Sequence, residues 1–170
     1  MKAILSAALG LGLTGTSAFA VDSCLVGVWE ADGVDLAHVM GSQMPPGGST
    51  THVSGRVSLE ITEDGTMTLL ADDFTILSSM PDIPATQIAI NGYSQGAMNA
   101  EDGRTYVANA PEYNLVGSAD VLGQTLEIPV TDLAGGAWGQ STGIYGCSGD
   151  SMSFEADRLG SIPRLWKRVR

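Results

Sequence analysis

Two cysteines are all this chain carries, and a bond between Cys24 and Cys147 would tie its beginning to its end across about 120 residues. Whether such a bond forms depends on the compartment. The first residues speak to that. Met1-Lys2 is a short basic start, Ala3 to Leu13 is an uncharged apolar run, and Ala18-Phe19-Ala20 has the small-x-small pattern of a signal-peptidase site. The pattern predicts an export signal over residues 1–20, cleaved after Ala20. The apolar run is too short and too rich in Gly and Thr for a membrane span, so no transmembrane protein is expected. Asp22-Ser23 ahead of Cys24 argues against a lipid anchor. In the periplasm or the extracellular medium, two cysteines most simply form one disulfide, worth roughly 4–5 kcal/mol of loop-closure entropy. A redox or metal-binding thiol pair would want C-x-x-C spacing, which is absent.

Residues 21–170 then remain as a single domain, and losing Lys2 moves the formal charge from −11 to −12. Such acidity argues against nucleic acid as a partner, because a basic footprint supplies most of that affinity. It suits a soluble export product or a binder of cationic proteins.

Periodicity along the chain is almost wholly that of β-strands. Val34 to Met44 is the exception: Val34, Leu36, Ala37, Val39 and Met40 could share one helical face, with Asp32 or Asp35 near its start. Met44-Pro45-Pro46-Gly47-Gly48 ends it. Val53, Gly55, Val57, Leu59 and Ile61 then alternate with polar residues up to Glu63-Asp64-Gly65, after which Met67 and Leu69 resume the apolar face. A two-residue turn would split that face, whereas a three-residue loop pairs Ile61 with Met67 and Leu59 with Leu69. The same device at Glu101-Asp102-Gly103 pairs Ala100 with Arg104 and Met98 with Tyr106. Parity changes after Leu69, so Ala71-Asp72-Asp73 is expected to bulge.

Further strands are expected over Thr86 to Met98, Thr105 to Ala110, Tyr113 to Val121 and Gln124 to Val130, the last an edge or bulged strand because Pro129 lacks a donor. Asp132 to Gly143 is Gly-rich and reads as a loop. Ile144 to Ala156 reads as a hairpin with Ile144 and Gly146 facing Phe154 and Met152, and a final strand runs from Pro163 to Val169. The fold class is therefore all-β: an antiparallel up-and-down barrel of about 8–10 strands with one short N-terminal helix. A β-sandwich is the alternative. The barrel is preferred because the disulfide and the last strand would bring the two ends of the meander together.

Gly27-Val28-Trp29 on the first strand resembles the G-x-W signature of the lipocalins and wider calycins. The resemblance implies that Trp29 closes one barrel end against an arginine of a late strand. Trp166 and Arg168 point the same way there, making Arg168 the candidate partner, with Arg164 in phase. Thr131-Asp132-Leu133 is loosely similar to the family's T-D-Y turn without its tyrosine, and no room is left for the family's C-terminal helix. The resemblance also implies a cavity for a small hydrophobic ligand, with Val57, Leu59, Met67, Leu69, Ile88, Ile90, Met98 and Tyr106 as candidate lining. The same side chains would equally fill a small barrel as core.

Other chemistry is sparse. His38, Met40 and Met44, with His52 beyond, could offer soft ligands to copper, though methionines on a capping helix equally fill gaps. No cofactor is expected. No G-x-S-x-G, H-E-x-x-H or P-loop is present, so no enzyme is expected. Arg158, Arg164, Lys167, Arg168 and Arg170 crowd the end of an otherwise acidic chain and could meet an anionic lipid or envelope polymer. The expected function is an exported, non-catalytic binder of a small hydrophobic molecule. The alternative is an interaction module: an acidic inhibitor of a cationic secreted enzyme, or a cell-envelope accessory protein.

Overall fold

The computed structural model describes residues 21–101, 103–133, 137–158 and 160–169. The expected leader, Asp102 of the second turn and Arg170 of the basic end lie outside them. In chain order the elements are β1 (Gly27–Ala31), α1 (Gly33–Ser42), β2 (Ser49–Ile61), β3 (Thr66–Met80), β4 (Ile83–Glu101), β5 (Thr105–Val121), β6 (Gln124–Pro129), α2 (Val130–Leu133), β7 (Ser141–Ser148), β8 (Ser151–Ala156) and β9 (Leu165–Arg168).

Among the described residues the strands make one antiparallel sheet that closes on itself as β1-β2-β3-β4-β5-β7-β8-β9 and back to β1. This is a barrel and not two stacked sheets. Strand β6 stands outside the ring. It pairs with the second half of β5, while β7 takes the first half of the same edge.

The β2–β3 register is the one that keeps a single face dry: Ile61 lies opposite Met67 and Leu59 opposite Leu69, with Gly65 left-handed at φ 83°. Asp64 holds this turn by accepting hydrogen bonds from the Thr62 hydroxyl and the Thr66 N–H. The Thr62 hydroxyl, then the Thr66 backbone, hold the Asp64 carboxyl below its ordinary value. A depressed carboxylate pKa favours the folded turn above the unfolded value and loses that contribution as pH falls through the folded one. Amide exchange at Gly65 and Thr66 should therefore quicken, relative to intrinsic rates, once pH drops below about 4. In Asp64→Asn that acid step should be missing.

A bend crosses the long strands. On β3 the inward set passes from Met67, Leu69 and Ala71 to Phe74 and Ile76, with the register shift between Ala71 and Phe74. Asp73 takes the left-handed conformation there (φ 47°), and Asn91 clamps it. The Asp73 N–H donates to Asn91 Oδ1, and Asn91 Nδ2 donates to Asp73 Oδ1, each at 2.9 Å. On β2 the bend falls at Gly55 (φ 73°), where a Cβ would sit 1.9 Å from the Asp73 carbonyl oxygen. No side chain fits between backbones that close.

Several details differ from the sequence reading. Helix α1 is capped by Asp32, one of the two acids expected at its start, which accepts from the Val34 and Asp35 N–H groups, but of the expected apolar face it buries Leu36, Ala37 and Met40 and leaves Val34 exposed. Strand β4 begins at Ile83 immediately after the turn, and β5 runs unbroken through Pro111. The β4–β5 register is shifted two residues from expectation: Ala100 faces Tyr106 and Met98 faces Ala108. A shift of two preserves parity, so the dry face survives. The β7–β8 turn has two residues and not three, so Tyr145 faces Phe154 and Cys147 faces Met152. A shift of one reverses the faces, which leaves Ile144 half exposed.

Candidate functional site

One end of the barrel is closed by the segment that precedes β1. Val21 bridges Ala100, the Asp22 N–H donates to the Ala100 carbonyl at 2.8 Å, and the Tyr145 hydroxyl donates to Asp22 Oδ2 at 3.1 Å. Cys24 is bonded to Cys147, their Cα atoms 6.1 Å apart. Gly27 opens β1, and Trp29 behind it is fully buried, donating from Nε1 to the Leu25 carbonyl at 2.8 Å. The Arg168 guanidinium lies 4.1 Å from the Trp29 ring centroid and donates to the Val26 and Cys24 carbonyls at 2.8 and 2.6 Å. Trp166, two residues earlier, is buried with Nε1 donating to the Pro163 carbonyl. Arg168 thus satisfies two carbonyls while covering an indole. Arg168→Met should cost about 1–3 kcal/mol in chemical denaturation. Arg168→Lys should recover little of it, because an ammonium cannot both stack and fork.

The interior is where a ligand would have to go. Val57, Leu59, Met67, Leu69, Ile88, Ile90, Met98 and Tyr106 all point inward, each at most 6 % exposed. Residues 137–140, ahead of β7, enter the same space. Trp138 is completely buried, edge-on to Phe74 at 6.4 Å, and its carbonyl accepts from the buried Ser94 hydroxyl at 2.7 Å. A Cβ on the next residue, Gly139, would lie 2.8 Å from both Met67 Cε and Ser94 Oγ. Gln140 Nε2 ties the segment to the Ala110 carbonyl at 2.7 Å. The chain thus lays its own backbone and an indole against the candidate lining.

Two polar atoms are buried here without a hydrogen-bond partner, Trp138 Nε1 and the Tyr113 hydroxyl. Burial pushes the Tyr113 phenol above its ordinary value. The Trp138 backbone opposes the shift without reaching hydrogen-bond geometry. Trp138 was missed in the sequence because it follows a Gly-rich stretch with no periodicity. A lone tryptophan in such a stretch was the one signal available.

The remaining candidates are dispersed. His38 is exposed and Met40 is buried in the core on the same helix, while Met44 Sδ lies 4.0 Å from the Ser78 hydroxyl. His52 stacks on Phe74 at 5.1 Å. Among the described residues no three His, Cys, Asp or Glu side chains stand together as a metal site. No helix among them is long and apolar enough to cross a membrane.

The described side chains Arg164, Lys167 and Arg168 of the basic C-terminal stretch do not present one face. Arg168 is committed to the Trp29 seam, Arg164 pairs with Asp35 on α1, and Lys167 lines an outer groove. That groove, about 550 Å³ over β7–β9, is also lined by Gly146, Ser148, Ser151, Ser153 and Leu165. A second, of about 370 Å³, lies over β4–β6 against Gln87, Ala89, Ser118, Asp120 and Thr125. Neither is lined by any of the eight interior candidates. Only two ion pairs occur among the described residues, Arg56–Asp72 and Arg164–Asp35, so most exposed carboxylates have no cation beside them.

No protein-family model, no curated protein and no solved structure matches this chain.

Proposed function

We propose that this protein is an exported, non-catalytic, calycin-like barrel that acts through its outer surface, as an interaction module for a cationic protein. The observation carrying this reading is the occupied interior: Trp138 and Gly139 take up space beside Met67 and Ser94 that a carried molecule would need. What the barrel then offers a partner is its exterior, where Glu30, Glu60, Glu101, Glu112, Asp120 and Glu127 stand exposed on the strands. An acidic surface attracts a basic partner from a distance and loses that attraction in salt. The Cys24–Cys147 bond is compatible with the oxidising compartment this role requires.

A test is sedimentation or interferometry against a set of purified basic secreted proteins at ~0.05 M salt, repeated at ~0.5 M. The reading expects at least one complex that dissociates at the higher salt. Absence of any complex at low salt, together with a stoichiometric apolar molecule in native mass spectra of protein from its own host, would sink it.

That second outcome belongs to the other reading, a carrier of a small hydrophobic molecule. Its support is the continuous apolar lining together with the two unpartnered polar atoms, Trp138 Nε1 and Tyr113 Oη, which a bound polar head could satisfy.

A further inference from the structure

Strand β6 is the place where the closed sheet stays open. It pairs with β5 alone, and no described residue pairs with its other edge. The hairpin joining the two strands has a two-residue turn, Leu122-Gly123, with both φ angles positive (54° and 79°). In such a hairpin the residues flanking the turn, Val121 and Gln124, exchange hydrogen bonds. Backbone direction then alternates, so Gln124, Leu126 and Ile128 face β5 while Thr125, Glu127 and Pro129 face the open edge. Pro129, which has no N–H, falls on that edge, where its lack breaks no rung of the β5–β6 ladder. Thr125 and Glu127 are left with free N–H and carbonyl groups, whereas the Pro129 carbonyl, directly ahead of α2, accepts the first bond of that helix.

The side chains along this edge state what kind of strand would fit. On the inner face Leu126 is 47 % exposed beside Ala119, which is 4 % exposed, so the apolar row loses its cover at the strand that lacks a neighbour. On the outer face Glu127 is exposed, and the Thr125 hydroxyl donates to Asp120 Oδ1 at 2.6 Å, drawing that carboxylate over β6. The turn itself carries Leu122, fully exposed in a conformation that disfavours leucine. The opposite open stretch of the sheet, the first half of β2, is covered by α1, with the Thr50 hydroxyl donating to the Ala37 carbonyl. Among the described residues no helix covers the free edge of β6 in that way.

We infer that the free edge of β6 is a strand-addition site for an extended basic segment of the partner, one that alternates lysine or arginine with apolar residues. The inference rests on the interaction-module reading and locates its contact. The incoming backbone pairs with Thr125 and Glu127. Its apolar side chains cover Leu126, and its cations meet Glu127 and, across the short Thr125 side chain, Asp120.

The test uses the whole protein and a short synthetic peptide alternating lysine and valine. Its controls are the same peptide N-methylated on the amides that would pair, and the variant Thr125→Pro, which removes an edge donor and with it the hydroxyl bond to Asp120, without altering charge or the β5–β6 ladder. The expected result is slowed amide exchange at Thr125 and Glu127 on peptide addition. Binding should be about tenfold weaker in each control, with unchanged circular dichroism for the variant. Equal binding of the N-methylated peptide, or protection elsewhere on the barrel, would overturn strand addition while leaving the cationic-partner reading intact. Self-association that protects the same two amides without peptide would replace the partner with a second copy. If neither the peptide nor any basic protein binds at low salt, both the inference and the reading beneath it fall.

Discussion

Replacing both cysteines, Cys24→Ser with Cys147→Ser, should lower the free energy of unfolding by about 4–5 kcal/mol. The bond spans 123 positions, so its main effect is on the unfolded chain, which without it gains the freedom of a very long loop. The folded barrel retains the other contacts of the seam. Leu25 stays buried, Trp29 keeps its bond to the Leu25 carbonyl, and Arg168 still holds the Val26 and Cys24 carbonyls. The double variant should therefore fold, with a melting temperature lower by roughly 10–20 °C for a domain of this size. Its denaturant dependence should also steepen, because an uncrosslinked unfolded chain exposes more surface. A lower midpoint at unchanged slope would place the loss in the native seam. An unchanged midpoint would mean the bond contributes nothing to the folded balance.

The residues that close the barrel were legible because two independent regularities converge on them. The spacing of Trp166 and Arg168 puts both side chains on one face of the last strand, and that face is inward, with Arg168 opposite Trp29. On β2 and β3, alternation and turn length constrain each other, and only the three-residue loop at Glu63-Asp64-Gly65 keeps Ile61 opposite Met67. The β7–β8 hairpin lacked that cross-check. Ile144 is more apolar than Tyr145, so hydrophobicity pointed to the wrong face. Ser148-Gly149-Asp150 holds a glycine that suits either loop length, and Gly149 takes φ 57° in the shorter one. Tyr145 goes inward because a ring with a polar tip can be buried when its hydroxyl finds a partner, here Asp22. That partner lies far away in sequence, and alternation cannot report it.

The candidate site shows the same division. Parity alone identifies the eight inward side chains, from Val57 to Tyr106, since each sits in phase with its neighbours on a strand. Parity cannot say whether the space they surround is open. That is decided by Trp138, carried in by a segment with no period, and by the tie of Gln140 to Ala110. The open edge of β6 was half visible. Pro129 marked an edge, but that β7 and β6 share one side of β5 is a fact of topology.

Trp138→Ala should destabilise the protein by about 3–5 kcal/mol, the range for truncating a buried aromatic side chain. The residue is fully buried against Phe74, while its backbone bond from Ser94 survives the substitution. The removed indole leaves a cavity beside apolar side chains, and an apolar cavity of that kind takes small apolar probes. The variant should bind such a probe and regain melting temperature on binding, by mass action. The native protein divides the two readings. If the barrel is an interaction module, the wild type takes up no probe, and folded Trp138→Ala keeps its full salt-sensitive affinity for a basic protein, because the indole is fully buried and offers a surface partner no contact. If the barrel is a carrier, Trp138 must move aside for the ligand. The wild type then binds the probe with a change in tryptophan emission, and the variant binds it more tightly because displacing the indole no longer opposes entry.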